Sequence, residues 1–546
     1  MAHSIRSYEV EIKPFTRKQF PNLPPTRQVG YDGMMPGPTF QTMQGREAIV
    51  RFINHGDRAD SVHLHGSFSR SPFDGWADDA TEIGQYKDYY WPNRQNARTL
   101  WYHDHVADHT AENVYQGQAG FYILHDTEEM SKGLPSGKYD IPLGIMARSY
   151  NPDGSLWSPE AHNEDVSLYG DVIEVNGQPW PFLAVEPRKY RFRLLDLGIS
   201  RTFILYLQAD QQNSKTVPFT IVGSDAGLLQ RPVVSEDVTI SVAERWDVVI
   251  DFSTFAGQNI TMRNKRGIAA DTDYPATDRV MRFVVGKSVS DNSNNGVVPN
   301  PLRQIAFPPN KAVTTRDFTF DLKDEKWVIN GVGWHDVSER ILATPKRGSI
   351  EIWNFHNAGD WSHPVHVHLI DFQVIKRTGS ARSVLPYEAA AQQDVVWLGP
   401  RETVTIIARF SPWPGLYMFH CHNLIHEDHE MLDAINVTQV QIPGLKETNL
   451  FIDPMDPKYR PKSFPPAQLA SRSGDFSKQA IQKKVEWFAS LNAYADVDEV
   501  EAKLEAYWNN KYTKGRRHGR KHQAEYVKRR RALEGLGTVE DDEMMS

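Results

Sequence analysis

The chain has 546 residues, 40% of them hydrophobic and 24% charged, with a formal net charge of −8. That length suits three or four domains with cores of their own, and the acid excess argues against a chain built overall for nucleic acid. No apolar run approaches the ~18 residues of a membrane-spanning helix, and a single cysteine, Cys421, excludes an internal disulfide framework.

The chain opens Met1-Ala2-His3-Ser4 and runs straight into strand-like sequence, Tyr8 to Ile12, without a signal-peptide pattern. As written, the expectation is an intracellular protein, or a secreted one in processed form. Residues 1–130 read as a first β domain. Its alternating run Ala48 to Ile53 stops at Asn54, His55 and Gly56, and it carries the pairs His63/His65 and His103/His105. Residues 135–290 read as a second β domain, with strands at Tyr190 to Leu195 and Trp246 to Phe252 and no histidine cluster. The polar segment 288–303 reads as a linker. Residues 304–445 read as a third β domain, holding His363, the pairs His366/His368 and His420/His422, Cys421, His426 and Met431. Asn176-Gly177-Gln178-Pro179-Trp180 and Asn330-Gly331-Val332-Gly333-Trp334 echo each other as strand end plus turn. The tail, 470–546, differs: Ala480 to Leu504 has helical spacing, and Lys511 to Arg531 packs ten Lys and Arg into a short run. It reads as a solvated helix or disordered end, with contact to a polyanion, a membrane surface or a localisation receptor as the functional alternative.

Side chains alternate along a strand, so histidines at i and i+2 face one way and can share a metal or adjacent metals. Chance would place roughly 0.7 such pairs among 20 histidines in a chain of this length, against the four present. Cys421 with His426 and Met431 is a soft thiolate, imidazole and thioether set of the blue-copper kind. Zinc fits poorly, because there is no CxxC and ten imidazoles accompany one thiol. His420 and His422 point away from Cys421, so one short segment can serve two metal sites joined by a few covalent bonds.

Four segments carry a family resemblance: His63-Leu64-His65-Gly66, Trp101-Tyr102-His103-Asp104-His105, His363-Pro364-Val365-His366-Val367-His368, and His420-Cys421-His422 with His426 and Met431. In order and spacing they resemble the copper motifs of multicopper oxidases over about 450 residues, leaving the tail uncovered. Phe73-Asp74-Gly75-Trp76 and the run from His420 to Met431 look most like the laccase-like branch that includes bilirubin oxidases. The resemblance implies an all-β fold of three cupredoxin-like Greek-key sandwich or barrel domains. It implies four copper ions: a type 1 copper on His363, Cys421, His426 and Met431; a type 2 copper on His63 and His366; and a type 3 pair on His65, His103, His105, His368, His420 and His422. Asp74 and Glu427, close to ligands in sequence, are the expected proton donors or orienters. Asp104 is expected to face outward or to serve as a hydrogen-bond partner. The donor is expected at the outer edge of His363, with Trp361 nearby.

The expected activity takes single electrons from bilirubin or another tetrapyrrole, a phenol or an aromatic amine, and reduces O₂ to two waters. The expected partners are thus a small reducing molecule and O₂, with no nucleic acid and no membrane span, on a monomer. An Fe(II) or Cu(I) oxidase is the enzymatic alternative, weakened by the scatter of the 13 methionines. An electron carrier without oxygen chemistry would need only the Cys421 set.

Overall fold

A computed structural model describes residues 5–511 except 214, 381, 443, 446 and 448. Six sheets pack as three two-layer sandwiches. In the first, a five-stranded sheet (Arg6–Arg17, Thr26–Tyr31, Ala48–Asn54, Gln85–Trp91, Lys462–Ser463) faces a four-stranded one (Gly37–Met43, Val62–His65, Arg98–Asp104, Ala119–His125) across Ile12, Phe52, Trp91 and Tyr102. Sheets of seven and six strands enclose the second core, around Phe192, Trp246 and Phe283. Two five-stranded sheets enclose the third, around Trp353, Phe355 and Phe419.

Local sequence explains the strands. Phe203–Ala209 alternates buried and half-buried residues, as a sheet with one covered face demands. Arg98–Asp104 is buried throughout, because its sheet has the sandwich core on one side and a neighbouring sandwich on the other. The echo between residues 176 and 330 is a shared turn. Asn176-Gly177 and Asn330-Gly331 all have positive φ, the conformation that favours Asn-Gly in tight hairpins.

Register does the work of gathering the histidines. His63 lies opposite His103 across one strand pair, and His366 lies opposite His420 across another. Directly opposed residues share a face, so each pair presents its imidazoles on one side, toward the seam between the first and third sandwiches.

The helical spacing of Ala480 to Leu504 is borne out, and the helices are docked rather than solvated. Lys478–Ser490 is a helix, and a second helix runs over residues 497–511. Phe488, Tyr494, Leu504 and Trp508 are buried against the third core. Tyr494 Oη donates to the Tyr90 carbonyl (2.6 Å), and Trp508 Nε1 donates to the Arg347 carbonyl (2.9 Å). Burying side chains such as Phe488 and Leu504 stabilises by about 1.5–3 kcal/mol each. The basic run beyond Lys511 lies outside the described residues. No helix among the described residues is long and apolar enough to cross a membrane.

Candidate metal centres

Eight imidazoles meet at the seam, all nearly or fully buried: His63, His65, His103 and His105 from the first sandwich, His366, His368, His420 and His422 from the third. They fall into overlapping groups whose ligand atoms lie within 4.8 Å of one another: His63, His65 and His366; His65, His103 and His422; His105, His368 and His420. His420 Nε2 is 3.1 Å from His105 Nε2 and 3.2 Å from His368 Nε2, and His65 Nδ1 is 3.4 Å from His103 Nε2. Burial, reinforced by neighbouring imidazoles, pushes the pKa values of His63, His65, His103, His366, His368 and His422 well down and that of His105 to about 4. These seven rings therefore favour the neutral form, which keeps a lone pair for a ligand. His63 Nε2, His366 Nε2 and both nitrogens of His422 are buried without a hydrogen-bond partner. Orphaned buried acceptors are costly, and a shared cation satisfies them. The donor set fits a transition-metal cluster.

A second centre lies inside the third sandwich. Cys421 Sγ is 3.4 Å from His363 Nδ1 and 3.7 Å from His426 Nδ1, and those nitrogens are 3.2 Å apart. Met431 is fully buried in the same apolar cluster as Cys421. Its N–H donates to the His426 carbonyl (3.0 Å) and its carbonyl accepts from Cys421 N–H (3.1 Å), closing the loop over the site. Burial pushes the Cys421 thiol well up, so a thiolate here calls for a cation beside it. Cys421 links covalently to His420 in one group of the cluster and to His422 in another.

The donor set agrees with wider comparisons. The family description "Multicopper oxidase" matches residues 16–129 and 306–441. The bilirubin oxidase of Albifimbria verrucaria is 50% identical over 501 residues, spanning 90% of this chain and 87% of that protein. The chain belongs to the multicopper oxidase family. A laccase of Bacillus subtilis is 34% identical, across 79% of this chain and 94% of the laccase. The crystal structure of the McoA multicopper oxidase from Aquifex aeolicus superposes with a TM-score of 0.71 at 26% identity, over 80% of this chain and 99% of that one. The likeness thus reaches past the 450 residues that the motifs suggested. This multicopper oxidase is a copper enzyme that reduces O₂ with electrons from a small-molecule donor.

Around the oxidase's cluster, every ring but that of His422 is aimed by what its other nitrogen touches. His63, His103 and His366 donate from Nδ1 to the backbone carbonyls of Asp74, Asp104 and Asp394. His368 Nδ1 is 2.8 Å from Asp74 Oδ2, and His420 Nδ1 is 2.9 Å from Glu427 Oε2. Glu427 Oε1 also lies 3.5 Å from His105 Nδ1. Asp74 and Glu427 thus sit beside the cluster, as their sequence positions suggest. Asp74 turns inward because Gly75 follows it with φ +83°, where a Cβ would lie 2.6 Å from the Val62 carbonyl. Burial raises the Asp74 carboxyl well above the usual carboxylate range. Against the upward push of burial, His420 and His105 hold Glu427 below that range. Asp104 does not face outward. It is buried and accepts from Ser61 N–H (2.8 Å), Val106 N–H (3.3 Å) and Asn113 Nδ2 (3.0 Å).

Three features escape sequence reasoning. Asp394 Oδ1 lies 3.1 Å from His65 Nε2, and Arg245 grips the same carboxylate. Trp327 stacks on His426 with centroids 3.8 Å apart. No spacing marks any of these, since each lies far along the chain from the ligand it meets. At the thiolate site, the expected outer edge of His363 does not exist: His363 and His426 are both 0% exposed. Trp361 is half-buried and packs edge-on against Trp327 at 5.5 Å.

Proposed function

We propose that the two centres hold four copper ions. One would be held by His363, Cys421 and His426 with Met431, and one by His63 and His366. The remaining two would be held by His65, His103, His105, His368, His420 and His422. We read residues 1–130 and 304–445 as the copper-bearing units and 135–290 as copper-free. The donor is bilirubin or another tetrapyrrole, with phenols and aromatic amines as further donors, and O₂ goes to two waters with four electrons and four protons. The observation that carries this reading is the segment His420-Cys421-His422, whose middle residue belongs to the thiolate site while its neighbours belong to two different groups of the cluster.

Copper bound at these ligands supplies one-electron redox chemistry and the reduction of O₂. The chain does the rest. Peptide carbonyls and carboxylates on the outer ring nitrogens hold the lone pairs inward. Trp327, Phe320 and Met431 keep water from the thiolate site. Asp74, whose carboxyl burial raises well above the usual carboxylate range, places its oxygens beside His63 and His368, where a proton can be held. Glu427, held ionised between His105 and His420, faces the Nδ1 of both rings and so orients them. Support for a tetrapyrrole donor comes from the bilirubin oxidase at 50% identity.

Oxygen uptake by copper-loaded protein tests the reading, with bilirubin, a p-diphenol, Fe(II) and Cu(I) compared side by side. A kcat/KM for bilirubin far above the others supports it. Phenols or metal ions in the lead would remove the tetrapyrrole assignment and keep the oxidase.

A further inference from the structure

Asp394 is the point where all three sandwiches meet around the cluster. It immediately precedes the strand Val395–Leu398 of the third sandwich. Its Oδ1 lies 3.1 Å from His65 Nε2 of the first, and its backbone carbonyl accepts from His366 Nδ1 at 2.7 Å. The second sandwich holds it in place. Arg245, at the start of the strand Arg245–Asp251, is fully buried and reaches the seam. Its Nη1 donates to Asp394 Oδ1 and its Nη2 to Asp394 Oδ2, both at 2.6 Å, a forked pairing of the strong charge-assisted kind. Arg245 Nε donates to the Thr99 carbonyl at 3.0 Å, which ties the fork to the first sandwich as well. Asp225, also of the second sandwich, completes the frame. Its carboxylate accepts from Arg245 N–H (2.6 Å), Asp394 N–H (3.0 Å) and Val395 N–H (3.2 Å).

The frame has a chemical consequence at His65. Six of the cluster's imidazoles engage a carbonyl or carboxylate through Nδ1 and turn Nε2 inward. His65 is reversed: Nε2 meets Asp394, and Nδ1 faces His103. Both Asp394 oxygens already face Arg245 N–H groups, so the carboxylate can only accept from His65. The proton of that ring therefore sits on Nε2, and the lone pair sits on Nδ1. Gly66, next to His65, makes room for this. A Cβ there would come within 2.7 Å of both Arg245 Nη2 and Asp394 Oδ2, at a φ of +84°.

We propose that Arg245 and Asp394, framed by Asp225, form a positioning unit through which the second sandwich sets the orientation and tautomer of His65 and, through the Asp394 carbonyl, the aim of His366. The second sandwich then governs O₂ reduction without contributing a ligand. Arg245 and Asp394 touch ligands or each other and not the reacting atoms, so they are positioning residues. The inference rests on the eight imidazoles being copper ligands.

Two variants test it in the full, copper-loaded chain. Arg245→Lys keeps the charge and loses the fork, and Asp394→Asn keeps the shape and puts an N–H donor where only acceptors stood. The Cys421-centred blue absorption reports folding and the intact thiolate site, which neither residue touches. Expected with that absorption retained are a loss of copper per molecule, a change in the EPR-detectable share of copper, and a kcat lower by roughly 10–100-fold, the usual effect of removing a partner behind a metal ligand. The donor's KM should stay near the parent value. Blue variants with parental copper content, EPR spectrum and kcat would overturn the proposal. So would the failure of both variants to fold, which would make the unit structural before anything else. A parent chain that binds no copper at the eight imidazoles would instead defeat the underlying ligand reading.

Discussion

The two metal centres lie a few bonds apart and have opposite surroundings. At the thiolate site the ligand rings meet Trp327, Phe320 and Met431, and the nearest polar partner is the amide of Asn423, 3.1 Å from His426 Nε2. At the eight-imidazole cluster, Asp74, Glu427 and Asp394 lie against His63, His65, His105, His366, His368 and His420. An apolar, close-packed shell reorganises little when charge changes by one electron, which suits transfer. Carboxylates on the ring nitrogens suit a reaction that consumes protons. The boundary between the two regimes falls at the peptide bonds on either side of Cys421.

Replacing Cys421 by Ser tests the boundary most severely. The thiolate is the one soft anionic ligand and the covalent start of the route to His420 and His422. Blue absorption should vanish, and donor oxidation should fall by more than the ~100-fold typical of lost supporting partners. EPR should still report copper at the cluster. If donors were oxidised at near-parental rates, electrons would have a second entrance and the division would fail.

Asp74→Asn sharpens the comparison from the other side. The amide keeps the shape against His368 and cannot give up a proton at neutral pH. Proton donation by a placed acid contributes roughly 10²–10⁴-fold, so kcat should fall by about a hundredfold. Anaerobic reduction of the blue centre by donor should proceed at the parental rate. Glu427→Gln should act in the same direction and more weakly, by about tenfold. A slowed anaerobic reduction in either variant would show that the carboxylates serve the electron side too.

The thiolate site was more legible than the cluster's surroundings, for a physical reason. The ligands repeat at i and i+2 because strands alternate, and Cys421, His426 and Met431 lie on one tight loop, so local spacing encodes both. Asp74 and Glu427 could be read because they are close in sequence to His65 and His426. Asp394 and Arg245 meet His65 only through the packing of three sandwiches, and no periodicity carries that information. The tail misled in the opposite way. Its basic run drew attention away from the spaced residues Phe488, Tyr494, Leu504 and Trp508, which fasten the helices before that run to the core.

Trp327 yields the smallest expected effect and the finest test. Its ring lies 3.8 Å from that of His426 at an interplanar angle of 23°, and its Nε1 donates to the Asp165 carbonyl at 2.8 Å. It therefore seals the ligand and pins the 163–168 segment over it. Stacked pairs of this kind are worth about 0.5–1.5 kcal/mol beyond buried area. Trp327→Leu removes the stack and the Nε1 donor, whereas Trp327→Phe keeps a ring. The Leu variant should let water reach His426, shift the blue band, and change anaerobic reduction of that centre by a few-fold, with the Phe variant in between. Reoxidation of the fully reduced protein by O₂ should be unchanged in both, because the cluster's carboxylates and imidazoles are untouched. A reoxidation rate that moved with the Trp327 ring would mean that the aromatic seal and the proton-bearing cluster are one device.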